Sequence, residues 1–288
     1  MNAERPVVAL VGTGSMGAAI ARRLGRHGVR VLSPAGRSAE SCRRALEAGI
    51  TLVEPAALAE ADFCFSVVPS DAARAVAETY APLLRSGADP CVWIDWNAIA
   101  PATLRGVAEG VQARGLILLD GGIFGLPPAA DDSPGPLFYL CGNGAARALV
   151  FENCGLRLRI IDAPLGGVSA LKLCYAALTK GGIALGAAAL LAARREGCAE
   201  ALCAALRAGQ PRLADDLTRS LPDMLPKAGR WVAEMTELAA MIGADADGAG
   251  LYRGAGALFA VLAAADGPAG SLREMVQCLH DSAPSAAP

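Results

Sequence analysis

The sequence predicts an α/β fold, a doubly wound parallel sheet covered by helices, followed by an all-α domain. Three observations support this fold class. An apolar run near the start breaks into a glycine-rich turn and then into a helical stretch. Short apolar runs then alternate with alanine-rich helical segments, which is typical of a parallel sheet. From Gly166 onward strand-like runs disappear, so we expect two domains, residues 1–165 and 166–288.

The first strand is predicted at Val7–Val11, and the turn after it reads Gly12-Thr13-Gly14-Ser15-Met16-Gly17. In a dinucleotide-binding turn the first glycine permits the tight turn, the second lets the backbone approach a pyrophosphate, and the third lets the helix pack on the strand. The helix predicted next, Ala18–His27, offers free N–H groups at its start. We therefore expect all six residues of the turn to bind a dinucleotide in a Rossmann-like domain.

Seven further strands are predicted from short apolar runs, at Val29–Leu32, Ile50–Val53, Phe63–Val68, Cys91–Asp95, Leu116–Asp120, Leu137–Cys141 and Leu156–Ile161. We expect a helix over Ser38–Ala48, another that begins near Pro101, and a long loop over Leu126–Pro136.

The second domain is expected to open with one long helix from about Val168 to Arg195. At about 1.5 Å per residue this helix is roughly 40 Å long, more than a small domain needs for itself. A helix of this length often packs against a partner subunit. The later helical patterns are predicted to break at Gly209-Gln210-Pro211, at Leu221-Pro222 and at Pro226.

Composition favours a small-molecule partner. The net charge is −2 and aromatic residues make up 5% of the chain, so we expect no nucleic-acid partner. The apolar stretch Gly181–Ala193 is too short to span a bilayer, and we expect a buried helix there and no membrane partner. Nine cysteines lie mostly in apolar runs without a C-x-x-C pair, which favours reduced thiols, a cytoplasmic protein and no metal site.

Ligands bind at the carboxyl ends of strands in doubly wound sheets, so the strand ends are the places to search. The second strand ends without the acidic residue that holds a ribose 2′-hydroxyl, and Arg37 and Ser38 follow it. These residues predict NADP, with NAD as the other possibility, unless Arg37 is a surface residue at the start of a helix. Val68 and Pro69 end another strand and are expected to contact the cofactor. Asn97 follows the next strand and either binds the cofactor or substrate or caps the helix near Pro101.

Lysine is scarce, since the chain has only Lys172, Lys180 and Lys227. Lys172 follows the small residues at 166–169 at the start of the long helix. On a helical wheel Thr179 lies within about 20° and Tyr175 within about 60° of it, so one face carries an ammonium, a hydroxyl and a phenol. A lysine partly removed from water there is a candidate general acid or base. Lys180 is offset by roughly 80° and is a secondary candidate.

The chain resembles the β-hydroxyacid dehydrogenase and 6-phosphogluconate dehydrogenase superfamily over most of its length. The resemblance rests on the glycine turn with Met16, on Gly36-Arg37-Ser38, on Asp95-Trp96-Asn97 to Pro101, and on Gly166-Gly167-Val168-Ser169-Ala170-Leu171-Lys172. It implies a nicotinamide-dependent oxidoreductase with Lys172 as catalytic acid or base, a helical second domain, and a homodimer formed through this C-terminal helical domain.

Two departures from the family pattern concern the substrate. The family's asparagine four residues after the lysine is Ala176 here, and its substrate loop corresponds to Gly122-Ile123-Phe124-Gly125, which places Ile123 and Phe124 beside the substrate. The C-terminal domain has its own pattern, including the segment from Arg230 to Met235, which is similar to a less characterised subgroup.

These residues predict interconversion of a carbonyl and an alcohol on a small acidic metabolite with NADP(H). Arg230 either binds an anionic group or has a surface role, and Tyr175 and Thr179 are expected to contact substrate. Two alternatives stay open, an imine reductase that acts on a C=N bond and a non-catalytic NADP-binding protein. Imine reductases of the superfamily commonly lack the helical lysine, which argues against the first.

Overall fold

The computed structural model describes residues 5–36, 38–129, 131, 133–243, 247–264 and 266–281. The chain forms two compact units, Met1–Leu173 and Cys174–Pro288. The first unit holds the sheet, and the second consists of helices in its described part. This confirms the predicted fold class.

The sheet of the first unit has eight strands in the order β3-β2-β1-β4-β5-β6-β7-β8. Chain order gives them as β1 Val7–Val11, β2 Arg30–Pro34, β3 Thr51–Val53, β4 Phe63–Ser66, β5 Val92–Asp95, β6 Ile117–Phe124, β7 Leu137–Cys141 and β8 Arg157–Ile160. The strand order reverses between β1 and β4, and such a switch point is where doubly wound sheets bind ligands.

One pair of strands departs from the predicted parallel arrangement. Strands β6 and β7 pair antiparallel, with Phe124 opposite Leu137. The chain enters β7 at the same edge of the sheet at which it leaves β6, so the two strands run in opposite directions. Strand β6 also runs on to Phe124, beyond the predicted end at Asp120. The expected substrate loop at Gly122-Ile123-Phe124 is therefore strand, and this interpretation of it as a loop is wrong.

Alternation along the strands builds one core on each face of the sheet. Helices of this unit are α1 Ser15–Arg26, α2 Ala39–Glu47, α3 Ala73–Tyr80 and α4 Pro101–Gln112. Val8 and Leu10 of β1 pack in the cluster that includes Ile20 of α1. Ala9 and Val11 pack in the other cluster, which includes Leu104 of α4. This packing fixes both the helix that follows the glycine turn and the strand ends beside it.

The long helix is α5, Gly167–Arg195, close to the predicted bounds. It is long and apolar enough to pass a length-and-composition test for a membrane span, and 33% of the tested window is buried. The expectation of a buried helix over Gly181–Ala193 is therefore wrong in extent, since Leu185 is 64% exposed. The test uses length and composition only, so the result assigns no membrane role.

The second unit continues with α6 Ala199–Gly209, α7 Pro211–Met224, α8 Ala228–Ile242, α9 Asp247–Ala264 and α10 Asp266–Asp281. The chain breaks at Gln210, as predicted, and Pro226 lies in a short 3₁₀ turn between α7 and α8. The predicted break at Pro222 is wrong because this proline lies inside α7. Pro222 lies two residues before the last residue of α7, so its missing N–H affects only the final turn of the helix.

Candidate functional site

The glycine turn has the geometry that its sequence predicts. Gly12 has φ +110°, which favours glycine, and a Cβ there would lie 2.0 Å from the Val67 carbonyl oxygen. A Cβ on Gly17 would lie 1.9 Å from the Gly12 carbonyl oxygen. Both positions therefore require glycine for the fold itself.

Gly14 differs, because a Cβ there would meet no atom within 4 Å. Gly14 and Ser15 are exposed, and Gly14 is the N-cap of α1, without a side-chain cap and without an acidic residue in the first turn. Uncapped N–H groups at a helix start attract phosphate. The residues present therefore fit the diphosphate of a dinucleotide.

Thr13 and Ser38 bind the protein's own backbone and side chains. The Thr13 hydroxyl donates to the Ser41 carbonyl at 2.9 Å, and Arg44 Nε donates to the Thr13 carbonyl at 2.9 Å. The Ser38 hydroxyl accepts the Ser41 N–H as the N-cap of α2. The turn is thus held against α2. Arg37, the predicted partner of a 2′-phosphate, lies outside the described residues.

Asn97 ties two strand ends together. Its Oδ1 accepts the Val68 N–H at 2.7 Å, and its Nδ2 donates to the Ser66 hydroxyl at 2.9 Å. The N-cap of α4 is Ala100, so the helix-cap alternative for Asn97 is wrong. Val68 is half-buried and Pro69 is exposed at the end of β4. A Cβ on Gly12 would come within 3.0 Å of Val68 Cγ1, so the turn and this strand end pack side by side.

Asp95 is a buried carboxyl at the end of β5, 1% exposed. Its Oδ1 accepts the Asn97 N–H at 3.0 Å. Burial raises the pKa of Asp95 to about 7, the Asn97 N–H opposes the rise, and the carboxyl of Asp120 adds to it. Asp95 and Asp120 are register partners on neighbouring strands.

The raised pKa of Asp95 makes a testable prediction about stability. The folded protein favours the neutral carboxylic acid of Asp95. The contribution of this group to the unfolding free energy is therefore fully present below about pH 3.9, where the unfolded chain is also protonated, and is lost as the pH rises through about 7. Asp95→Asn removes the ionisation and keeps the acceptor for Asn97. Relative to the parent, the variant should gain roughly 2–3 kcal/mol in unfolding free energy between pH 5 and pH 8 in urea denaturation. A difference between the two proteins that does not change with pH would contradict this.

Asp120 binds the start of α5. It is fully buried, and its Oδ2 accepts backbone N–H groups of Gly166, Val168 and Ser169 at 2.9–3.0 Å. Its Oδ1 accepts the Ser169 hydroxyl at 2.7 Å. Burial raises the pKa of Asp120, and the donors on Ser169 oppose this rise. A carboxylate at this place fills the N-terminal end of the helix and complements its dipole.

Lys172 lies on the first unit's part of α5 and contacts two predicted substrate residues. Its Nζ donates to the Ile123 carbonyl and lies 4.7 Å from the centre of the Phe124 ring. The side chain is half-buried. The Phe124 ring packs edge-on against Tyr139 at 4.9 Å. The structure thus brings together Lys172, Ile123 and Phe124.

The predicted site residues of the second unit are on its surface. Tyr175 is 51% exposed, and the Thr179 hydroxyl donates to the Tyr175 carbonyl at 2.9 Å. Arg230 is exposed on α8.

Lys180, the secondary candidate, forms an ion pair with Glu234 and lies 4.9 Å from the Trp231 ring centre. Burial lowers the pKa of Lys180, Glu234 opposes this, and the charges of Arg230 and Lys227 add to the lowering.

Sequence reasoning missed three buried polar residues, Ser66, Asp120 and Ser169, and assigned no role to Asp95. One signal was available, because an aspartate follows three apolar residues in both β5 and β6. When two such strands are parallel neighbours in this register, the two carboxyls lie side by side. The pairing of β5 with β6 was needed to use that signal.

Comparisons with known proteins agree with this geometry. Residues 7–154 match the family model described as the NAD binding domain of 6-phosphogluconate dehydrogenase. Residues 193–262 match a domain of unknown function, DUF1932. A search of curated proteins found no match.

Three solved structures share the fold. A conserved hypothetical protein from Sinorhizobium meliloti 1021 is 26% identical, with 97% of each chain covered and a TM-score of 0.72. The 3-hydroxyisobutyrate dehydrogenase of Mycobacterium tuberculosis, solved with L-serine, is 19% identical, with 94% of this chain and 99% of that chain covered and a TM-score of 0.69. A reductive aminase from Aspergillus terreus, solved with NADPH and ethyl-5-oxohexanoate, is 20% identical, with 96% and 99% covered and a TM-score of 0.56.

The family match spans more than half of the chain and contains the whole glycine turn, the Asn97 contacts and the Asp95–Asp120 pair. It confirms the resemblance predicted from the motifs. The chain belongs to the family of the NAD binding domain of 6-phosphogluconate dehydrogenase, and it carries a DUF1932 helical region after that domain.

Proposed function

We propose that the protein is an NADP(H)-dependent oxidoreductase that interconverts a carbonyl and an alcohol on a small acidic metabolite, with Lys172 as the proton donor or acceptor. The observation that carries the proposal is the placement of Lys172. Its ammonium lies half-buried between the Ile123 carbonyl and the Phe124 ring, in the same unit as the glycine turn. A nicotinamide cofactor, when bound, supplies or accepts the hydride in such a reaction.

The residues of this chain supply the remaining functions. Gly14 to Met16 offer backbone N–H groups to the diphosphate, since a Cβ on Gly14 would meet no atom. The Lys172 ammonium donates a proton to the carbonyl oxygen in the reductive direction, which leaves a neutral amine. In the oxidative direction the neutral amine accepts the proton of the alcohol and becomes the ammonium again. The Phe124 ring, whose centre lies 4.7 Å from Nζ, stabilises the charge of the ammonium by a cation–π contact.

NADP rather than NAD is proposed because no acidic side chain follows β2. The residues Ala35, Gly36, Arg37 and Ser38 stand there instead, and Arg37 is the cation proposed to bind the 2′-phosphate. Ser38 caps α2, which leaves its N–H beside the helix start for the same phosphate.

This function can be tested with the purified protein. The assay measures oxidation of NADPH and of NADH in the presence of a panel of small keto acids, aldehydes and imines. We expect NADPH oxidation with a carbonyl acid, tighter binding of NADPH than of NADH, and loss of that preference in Arg37→Ala. Oxidation with imines alone would replace the proposal by C=N reduction. Tight binding of NADPH without turnover of any carbonyl would favour a non-catalytic protein, and equal affinities for the two cofactors would contradict the role of Arg37.

We also propose that the partner is a second copy of this chain, bound through the helical unit. Leu178 and Leu185 of α5 and Leu251 of α9 are 81%, 64% and 61% exposed. They line an apolar groove of about 580 Å³ between the two helices. Exposed apolar patches of this kind are typical of protein interfaces. Sedimentation at the mass of a single chain would contradict this.

A further inference from the structure

We propose that Asp120 is the positioning residue of Lys172, which it holds in place by fixing the start of α5 on strand β6. The inference deepens the proposed function, since it rests on Lys172 as the acid or base. Asp120 is 0% exposed, so its effect on Lys172 is exerted through the helix start that it binds.

The first step of the argument is the attachment at the helix start. Three donors at the α5 N-terminus, the N–H groups of Gly166, Val168 and Ser169, converge on one oxygen of Asp120. The Ser169 hydroxyl binds the other oxygen. Because both oxygens are used, the carboxyl fixes the rotation of the first turn as well as its height above the sheet. An asparagine at this position has one acceptor oxygen and no charge, so it keeps acceptors for the backbone N–H groups only, loses the bond donated by the Ser169 hydroxyl and weakens the other three.

The second step is that the same strand holds the lysine. Ile123 lies three residues after Asp120 on β6, about 10 Å along the strand, and its carbonyl accepts the Lys172 ammonium. Lys172 lies three residues after Ser169, about 4.5 Å along the helix. The helix is therefore attached to β6 at two points, by Asp120 at its start and by the lysine itself. A shift at the first point moves the ammonium relative to Ile123 and Phe124.

The third step is the lack of a side chain between these two points. A Cβ on Gly122 would lie 2.9 Å from Val168 Cγ1, 3.1 Å from Phe124 Cε2 and 3.7 Å from Lys172 Cβ. Gly122 thus lets the first turn of α5 lie directly on the strand, which brings its backbone within reach of Asp120. Two residues of β6 therefore set the position of Lys172: Asp120 binds the start of α5, and Gly122 lets α5 approach the strand closely.

The scarcity of lysine makes the test direct. Reductive methylation with ¹³C-formaldehyde labels the three lysines and the terminal amine, and Lys172→Arg assigns the Lys172 methyl resonance. In folded Asp120→Asn we expect that resonance to shift or broaden, with those of Lys180 and Lys227 unchanged. Ser169→Ala removes one bond and keeps the three backbone bonds, so it should give a smaller shift. Gly122→Ala places a methyl group between β6 and the first turn of α5, so it should also shift the Lys172 resonance.

The outcomes separate positioning from mere stabilisation. A lower melting temperature in Asp120→Asn with an unmoved Lys172 resonance would overturn the proposal. If Asp120→Asn does not fold, Ser169→Ala and Gly122→Ala decide, and an unmoved Lys172 resonance in both variants would overturn the proposal.

Kinetics provide a second readout. With the carbonyl substrate found in the panel, kcat should fall at least tenfold in Asp120→Asn while NADPH affinity stays unchanged. If Lys172→Met retains turnover while the resonance still moves in Asp120→Asn, the acid–base function fails and the positioning stands.

Discussion

Lys172→Met is expected to lower kcat/KM for carbonyl reduction by about 10²–10⁴-fold, the range for loss of a general acid. The variant keeps the length and apolar stem of the side chain and removes only the ammonium. The affinity for NADPH should stay within about twofold, because the Lys172 ammonium binds the Ile123 carbonyl and lies beside the Phe124 ring, and neither residue belongs to the glycine turn. Steady-state kinetics and a fluorescence titration of NADPH check the two parts separately.

Lys227→Met is the matched control. It makes the same chemical change on a lysine that pairs with Asp223 at 2.7 Å in the helical unit. Its turnover should equal that of the parent. Equal losses in the two variants, or parental turnover in Lys172→Met, would show that Lys172 is not the acid.

Gly14→Ala is expected to weaken NADPH binding by tenfold or more, about 1.4 kcal/mol, without changing the melting temperature. The methyl group meets no atom of the protein within 4 Å, so the fold accepts it. It occupies the space through which the backbone approaches the diphosphate. In this variant the affinity for the dinucleotide should therefore fall while the melting temperature stays at the parental value.

Two other glycines provide the comparison. Gly25→Ala, in the same helix and with the same empty surroundings, should leave NADPH binding unchanged. Gly12→Ala should lose stability and binding together, because its Cβ would lie 2.0 Å from the Val67 carbonyl oxygen at φ +110°. Parental NADPH affinity in Gly14→Ala would contradict the placement of the diphosphate.

Features that depend on local backbone chemistry could be predicted from the sequence. The strand, turn and helix at 7–26 follow from an apolar run and three spaced glycines, and the structure differs in starting the helix at Ser15 instead of Ala18 and ending it at Arg26 instead of His27. The long helix α5 and the position of Lys172 on it follow from helical periodicity. The helix expected over Ser38–Ala48 forms as Ala39–Glu47, and Ser38 is its N-cap.

Features that depend on strand pairing could not be predicted. Asp120 binds Gly166, Val168 and Ser169, more than forty residues away, and this contact follows only from the position of β6 beside the start of α5. Asn97 had two plausible partners in the sequence, and its actual partners, Val68 and Ser66, lie on a neighbouring strand end. The strand character of Gly122 to Phe124 follows from pairing with β7 rather than from local composition.

The central claim is that the glycine turn and Lys172 serve one reaction, and a crystal structure with NADPH and the carbonyl substrate tests it most directly. The account predicts the diphosphate on the N–H groups of Gly14 to Met16 and the reacting oxygen at about 3 Å from Lys172 Nζ. A complex in which Lys172 stays on the Ile123 carbonyl and another group binds the reacting oxygen would contradict it.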